Sequence, residues 1–215
     1  PDWVYVWTKI PKRAFPMAID KPILYFYTRK PVNVSVSVRN PSGMLTQWWP
    51  NATSFQPPRP YAGQPLRAAV NGQLSWKNIQ VGLAHTPTFK KAPKGSWWPI
   101  ARDTDSVPLH VNGQTEKFLF YRGIGNRKHI VLVTVDRNSV TLKNTSEHDI
   151  RHLYLINVAN GKAVHETIDL LPKGASVVRD MSVGNKAPDV AKLAKRTHAH
   201  WQEAMEEAGL FPKEA

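Results

Sequence analysis

The sequence predicts an all-β protein, an antiparallel β-sandwich of the immunoglobulin-like or jelly-roll-like kind, with a C-terminal α-helix. Three observations predict it. Short runs of β-branched and aromatic residues alternate with polar residues, Asn-Gly pairs separate several of these runs, and no helical periodicity interrupts them before Gly184. Strands that succeed one another through tight turns form antiparallel sheets, and about ten such strands usually close into a sandwich or a barrel.

The clearest strand is segment 32–39, where valine occupies every even position and a polar residue every odd position. This period of two is typical of a strand with one buried and one solvated face. Similar runs occur at Val4–Thr8, Ile23–Tyr27, Leu74–Val81, Lys117–Tyr121, Ile130–Val135, Val140–Lys143, Leu153–Val158 and Ser176–Arg179. Alternation then predicts an interior that contains Val34, Val36, Phe118, Phe120, Leu132 and Leu155.

Asn-Gly pairs are the turn signals between these runs. They occur at Asn71-Gly72, Asn112-Gly113 and Asn160-Gly161. Asparagine and glycine best tolerate the positive φ angles of a type I′ turn, so each pair predicts a β-hairpin.

Composition changes after Gly184, which divides the chain into a sandwich domain, residues 1–183, and a helical segment, residues 184–215. Apolar residues recur at helical spacing between Pro188 and Ala208, and Gly209 is the natural stop. We expect this helix to pack through Leu193, Trp201 and Met205. Pro212 then resembles the first turn of another helix. We therefore expect the chain to be part of a longer protein.

Charge is unevenly distributed along the chain. Residues 1–100 carry 13 Lys and Arg against two Asp, a net of +11, whereas the whole chain carries +13. Clustered cations attract polyanions such as acidic polysaccharides, nucleic acids or phospholipid surfaces. The alternative is a surface that serves solubility or neutralises an acidic neighbour.

Seven of the eight tryptophans lie in the same first hundred residues, and two Trp-Trp-Pro units stand out: Trp48-Trp49-Pro50 and Trp97-Trp98-Pro99. Adjacent strand residues point to opposite faces, so one ring of each pair can enter the core while the other stays near the surface. An exposed ring beside a cation can stack on a sugar or a base. The alternative is that both rings fill the core.

Two carboxylates, Asp103 and Asp105, flank Thr104 beside Arg102. They are candidate ligands of a hard cation or an acid and base pair, but a calcium loop needs further acids. The alternative is a structural ion pair with Arg102 or Arg122. We assign a candidate ligand-binding site to eight residues, the four tryptophans of the pairs together with Arg102, Asp103, Asp105 and Arg122.

The sequence predicts no metal and no cofactor. The histidines are scattered, and His198 and His200 diverge by about 200° on a helix, although His200 and Glu203 share a face. With no cysteine in the chain, thiolate zinc sites and thiol nucleophiles are excluded. No nucleophile elbow, phosphate loop or zinc-protease helix occurs either.

Several phrases together resemble a family of long, multi-domain exported bacterial proteins with no assigned activity. They are Lys21–Tyr27, Leu45–Pro50, Ala101–Ser106, Glu116–Gly123 and Ala208–Ala215. The resemblance covers most of residues 20–215 and implies that the final phrase continues into a helix and another β-rich region. It implies no active site. Trp48-Trp49 and Trp97-Trp98 stand where the family pattern has Trp-Tyr or Tyr-Tyr.

These observations favour a non-catalytic binding or structural module that recognises an anionic polymer or packs against other regions of its own longer chain. The resemblance implies an extracytoplasmic location in a bacterium: periplasm, cell surface or secreted. The alternative is part of a hydrolase in which Asp103 and Asp105 act with a histidine such as His85, at a site that further C-terminal regions of the longer protein complete. Nucleic acid is a weaker candidate partner, because no known nucleic-acid-binding motif accompanies the charge.

Overall fold

The computed structural model describes residues 22–41, 43–56, 71–83, 87–125 and 129–215, together with the backbone of 4–5 and 17–19. The chain divides into two compact units, residues 1–127 and 128–215. The change of composition at Gly184 falls inside the second unit, shortly before its helix. None of the helices in the described ranges combines the length and apolarity needed to cross a bilayer.

Unit 1 consists of ten strands and one short helix in its described part. In chain order these are β1(Val4–Tyr5), β2(Met17–Ile19), β3(Ile23–Tyr25), β4(Val32–Asn40), β5(Gly43–Trp49), β6(Ser54–Gln56), β7(Gly72–Val81), α1(Trp98–Arg102), β8(Leu109–Val111), β9(Gln114–Glu116) and β10(Phe118–Gly125). Sheet 1 has the order β1-β5-β10-β2, with β3 also paired to β10, and sheet 2 has the order β4-β7-β8-β9, with β6 also paired to β7.

The core of unit 1 lies between the two sheets. Leu45, Trp48 and Leu119 from sheet 1 pack with Leu74 and Trp76 from sheet 2, and Val34 and Val36 pack against this cluster half-buried. A second cluster forms on the other face of sheet 1, where α1 covers the strands: Trp49, Phe118 and Phe120 contact Trp98 and Ala101. Every pairing among these strands is antiparallel, so the predicted fold class is confirmed.

Unit 2 contains β11(Val131–Asp136), β12(Ser139–Asn144), β13(Ile150–Ala159), β14(Lys162–Leu171), β15(Ser176–Asp180) and α2(Val190–Glu207). A three-stranded sheet of order β11-β12-β15 faces the β13-β14 hairpin, and Leu142, Ile168 and Leu171 form the core between them. Helix α2 packs on the hairpin, with Leu193, Thr197 and Ala204 buried. The predicted C-terminal helix is confirmed, but Met205 is 36% exposed, because it lies at the margin of the face that contains buried Ala204.

Two of the three Asn-Gly predictions are confirmed. Asn112-Gly113 and Asn160-Gly161 have positive φ and turn the chain between β8 and β9 and between β13 and β14. The third is wrong, because Gly72 is the first residue of β7. A side chain there would place its Cβ 2.8 Å from the Met44 Cα, so this glycine permits a close approach of backbones.

The predicted interior is correct for five of its six residues. Phe118 and Phe120 are buried, whereas Val34, Val36 and Leu155 are half-buried against the cores. Leu132 was expected inside and is 52% exposed. It pairs with Lys143, which in turn pairs with Ser176, and both of these neighbours are exposed. Leu132 therefore lies on the solvated face of its sheet.

Candidate functional site

The Trp-Trp pairs are mainly core residues. Because side chains alternate along β5, Trp48 enters the cluster between the sheets and Trp49 enters the cluster under α1. Trp98 is also buried, and Trp97 is half-buried over Phe118 and Phe120 at centroid distances of 5.3 and 5.0 Å. Three of the four rings, those of Trp48, Trp49 and Trp98, are therefore core residues, and Trp97 alone among the four is partly accessible.

Glu116 is the polar centre of the cluster under α1. Its side chain is fully buried and accepts two hydrogen bonds from Arg102, Nε to Oε1 at 2.9 Å and Nη2 to Oε2 at 2.7 Å. Trp49 Nε1 donates a third at 3.0 Å, and the backbone N–H of Lys117 donates a fourth at 2.9 Å. Four donors thus compensate the burial of this carboxylate.

Aromatic rings enclose the partner of Glu116. The Arg102 guanidinium carbon lies 4.9 Å from the Trp98 ring centroid and 5.2 Å from that of Phe89. Lys117 Nζ donates to the backbone carbonyls of Arg102 and Thr104, at the end of α1. The sequence offered Asp103, Asp105 or a ligand as the partner of Arg102. In the structure that partner is Glu116, which occupies the Nε–Nη2 edge of the guanidinium.

The remaining predicted site residues do not converge on this centre. Asp103 and Asp105 are exposed at the end of α1, and half-buried Arg122 lies on β10 opposite Gln47. The sequence carried a signal for Glu116 that went unused, since it is the single glutamate of residues 1–127. A glutamate directly before an apolar strand, in a unit rich in cations, indicates a buried partner for one of those cations.

An exposed lysine segment borders the same cluster. Lys90, Lys91 and Lys94 are exposed, and Lys90 Nζ lies 5.8 Å from the centroid of the Trp49 ring. No acid occurs between residues 87 and 102. Other exposed cations of the described part of unit 1 lie elsewhere: Arg29 and Lys30 before β4, Arg39 on β4 and Lys77 on β7. Arg59 lies outside the described residues.

Formal charge separates between the two compact units. Residues 1–127 carry 17 Lys and Arg against 5 Asp and Glu, a net of +12, whereas residues 128–215 carry 12 against 11, a net of +1. The asymmetry seen along the sequence is therefore a difference between folded bodies. The electrostatic potential is therefore expected to be positive around unit 1, whereas the charges of unit 2 nearly cancel.

Unit 2 contains an aromatic and histidine cluster that sequence analysis missed. Tyr154 on β13 stacks on His165 of β14 at 5.8 Å, and His200 and Trp201 of α2 each meet its ring edge-on at 5.6 Å. Tyr154 OH, His165 Nε2 and Trp201 Nε1 are buried and have no hydrogen-bond partner in the described ranges. Burial, more than any neighbouring charge, raises the pKa of Tyr154 and lowers that of His165.

This cluster is not a metal centre in the described part of the chain, where no three metal-ligating side chains come together. His200 packs edge-on against the ring of Tyr154. A strand-to-helix contact of this kind has no signal in a single sequence, because its members lie on three separate elements.

Unit 2 also has an open apolar cleft of about 560 Å³ between its sheet and its hairpin. Val131, Val133 and Val135 of β11 form one wall, and Leu153 and Leu155 of β13 contribute to the other.

Comparison of the chain with known proteins found no match among protein-family models, curated proteins or solved structures.

Proposed function

We propose that this chain is a non-catalytic binding module of an exported bacterial protein, and that unit 1 recognises an anionic polymer through the lysine segment Lys90–Lys94. The observation that carries the proposal is the partition of charge, with +12 on unit 1 and +1 on unit 2. A charge placed for solubility alone has no reason to follow the boundary between folded units.

The lysine segment combines exposure with firm anchoring. Lys90, Lys91 and Lys94 are exposed, and the chain that follows them enters the buried contacts of Trp98 and Arg102. An anchored backbone limits the conformational entropy that binding has to remove. Lysine is a compact point charge that contacts carboxylate, sulfate or phosphate groups without demanding one geometry. These properties favour a repeating anionic polymer as the ligand.

Burial of the indoles favours an acidic polysaccharide over a nucleic acid. Single-stranded nucleic acids are bound by positive grooves in which bases stack on exposed aromatic rings. Trp48, Trp49 and Trp98 are buried, so their faces are closed to such stacking. Recognition by this segment therefore depends on charge, and we place the ligand among the acidic polysaccharides of the cell envelope or its surroundings.

The hydrolase alternative gains no support from the described residues. Asp103 and Asp105 are both exposed, and His85 lies outside the described ranges. The buried carboxylate of unit 1, Glu116, already accepts four hydrogen bonds. A general base needs an accessible lone pair within reach of the proton that it takes.

The test is a titration of the chain with heparin, alginate and single-stranded DNA at about 50 mM and about 300 mM salt. We expect binding that weakens steeply with salt and is strongest for the polysaccharides. Replacing Lys90, Lys91 and Lys94 together by Glu should abolish it at the higher salt.

A matched control applies the same change of charge in unit 2. Lys186, Lys192 and Lys195 are all exposed, and their replacement by Glu should reduce affinity far less. Equal losses in the two triple variants would reduce the effect to net charge and contradict the assignment to this segment. Absence of binding at the lower salt would contradict the proposed function itself.

A further inference from the structure

Strand β11 forms an outer edge of the three-stranded sheet of unit 2. The sheet order is β11-β12-β15, and β12 is the one strand hydrogen-bonded to β11 among the described residues. An edge strand presents a row of backbone N–H and C=O groups that can pair with another strand.

The side chains of the first five residues of β11 leave this edge unprotected. Leu132, Val133 and Val135 are 52%, 55% and 64% exposed, and no charged residue or proline occurs from 131 to 135. The charge of β11 is confined to its last residue, Asp136, whereas the opposite edge, β15, carries Arg179 in addition to its own terminal Asp180. Charges at a sheet edge oppose pairing with further strands, so the two edges of this sheet differ in the way expected if only one of them is a contact surface.

The sequence of β11 matches itself in antiparallel order. A two-fold axis perpendicular to the sheet keeps each side chain on its own face. In such a pairing one residue must lie directly opposite its own copy, with the axis midway between the two. If Val133 lies opposite its own copy, Val131 of one chain lies opposite Val135 of the other, and Leu132 lies opposite Thr134. Every cross-strand pair from 131 to 135 is then apolar or an aliphatic–threonine pair, with no opposed like charges.

This arrangement also extends the apolar cleft. Val131, Val133 and Val135 share the face that lines the cleft. A second copy placed by the same axis continues their row with its own three valines. Part of the exposed apolar surface of each unit 2 is then covered by the other.

We propose that two copies of this chain associate by antiparallel pairing of β11 with β11 about Val133, giving one six-stranded sheet. The proposal is independent of polymer binding by unit 1. The partner strand is β11 of a second copy. In the symmetric register residues 131–135 of one copy pair with the same five residues of the other, and none of these pairs opposes like charges.

The first experiment measures the mass of the whole chain by light scattering during gel filtration, over a range up to about 100 µM. We expect a dimer, and we expect Val133→Lys to raise its dissociation constant at least about 10-fold, since two ammonium groups would face each other at the axis. The control is Val178→Lys on β15, at a residue 57% exposed on the opposite edge, which should leave the dimer intact. Circular dichroism checks that both variants are folded.

The second experiment tests the register. The chain has no cysteine, so Val133→Cys and Val178→Cys each introduce a single thiol. Directly opposite Cα atoms in an antiparallel pair are about 4.5 to 5.5 Å apart, within the range of a disulfide. Mild oxidation should cross-link the first variant and not the second. A monomer at every concentration, a dimer unaffected by Val133→Lys, or equal cross-linking of the two variants would overturn the proposal.

Discussion

Trp48 and Trp49 are neighbours in the chain, yet their indoles lie in two separate hydrophobic clusters on opposite faces of β5. Trp48 packs on Phe55, with ring centroids 4.9 Å apart, whereas Trp49 donates its indole N–H to Glu116. Sheet 1 is therefore buried on both faces at this point, by sheet 2 on one side and by α1 on the other.

The two tryptophans offer a matched pair of substitutions. Phenylalanine at either position loses ring volume from a buried site, but only Trp49→Phe also removes a donor from a buried carboxylate. Hydrogen bonds to charged groups contribute about 1.5 to 3 kcal/mol. We expect Trp49→Phe to lower the free energy of unfolding by that much more than Trp48→Phe, measured by guanidinium denaturation. Equal losses would mean that Glu116 does not depend on the indole.

The Arg102 and Glu116 pair gives a larger expected effect. Glu116→Ala leaves a mostly buried guanidinium without its partner, and breaking a buried pair in this way costs about 3 to 5 kcal/mol. Asp103→Ala changes an exposed carboxylate next to the same arginine and should stay within about 0.5 kcal/mol. Denaturant unfolding of both variants makes the comparison. A large effect of Asp103→Ala would show that Arg102 depends on Asp103, which would contradict its assignment to Glu116.

Gly43 on β5 lies directly opposite Gly125 on β10. A Cβ at this residue would lie 2.1 Å from the Ile124 carbonyl oxygen and 2.5 Å from the Gly125 Cα, both backbone atoms. Gly43→Ala should therefore cost about 2 to 4 kcal/mol, because the strands must separate. Gly184 has nothing within 4 Å of such a Cβ, so Gly184→Ala is the control and should be nearly neutral. Thermal unfolding distinguishes the two; an unaffected Gly43→Ala would contradict the register of β5 on β10.

Acid should weaken unit 2 through His165. Burial lowers its pKa, His200 and Arg196 act in the same direction, and Glu166 opposes them. The unfolded chain therefore takes up this proton before the folded one does, and stability that is present above about pH 6.5 is lost as the pH falls through the lowered pKa.

The test follows the free energy of unfolding from about pH 7.5 to about pH 5. His165→Gln should flatten the decline relative to the parent chain, because the uncharged amide takes up no proton. His198→Gln, at an exposed position on α2, should leave the decline unchanged. A decline of the same steepness in His165→Gln would exclude this histidine as its source.

Local patterns in the sequence predicted the strands and two of the hairpins. Segment 32–39, whose alternation predicted a strand, forms β4, and Asn160-Gly161 forms the predicted turn. Both predictions succeeded because these structures depend on neighbouring residues only. Gly72 and Leu132 were predicted wrongly for a different reason. Their environments are set by Met44 on β5 and by the exposed neighbours of β11, which the local pattern does not contain.

The candidate site was less predictable than the fold. Glu116 and Arg102 are 14 residues apart and meet only because the last residue of β9 and the last residue of α1 both lie beside the cluster that contains Trp49. Tyr154, His165 and Trp201 come together through a hairpin and a helix. Pairings of this kind arise from tertiary packing, and a single sequence identifies residue types without fixing which of them will touch.

The unequal distribution of tryptophan between the two units has a spectroscopic consequence. Seven of the eight tryptophans belong to unit 1, and Trp201 is the single indole of unit 2. Intrinsic fluorescence during denaturation will mainly report the first unit, whereas far-ultraviolet circular dichroism records the strands of both. Replacing Trp201 by phenylalanine would restrict the emission to unit 1 and allow the melting of each unit to be followed in one chain.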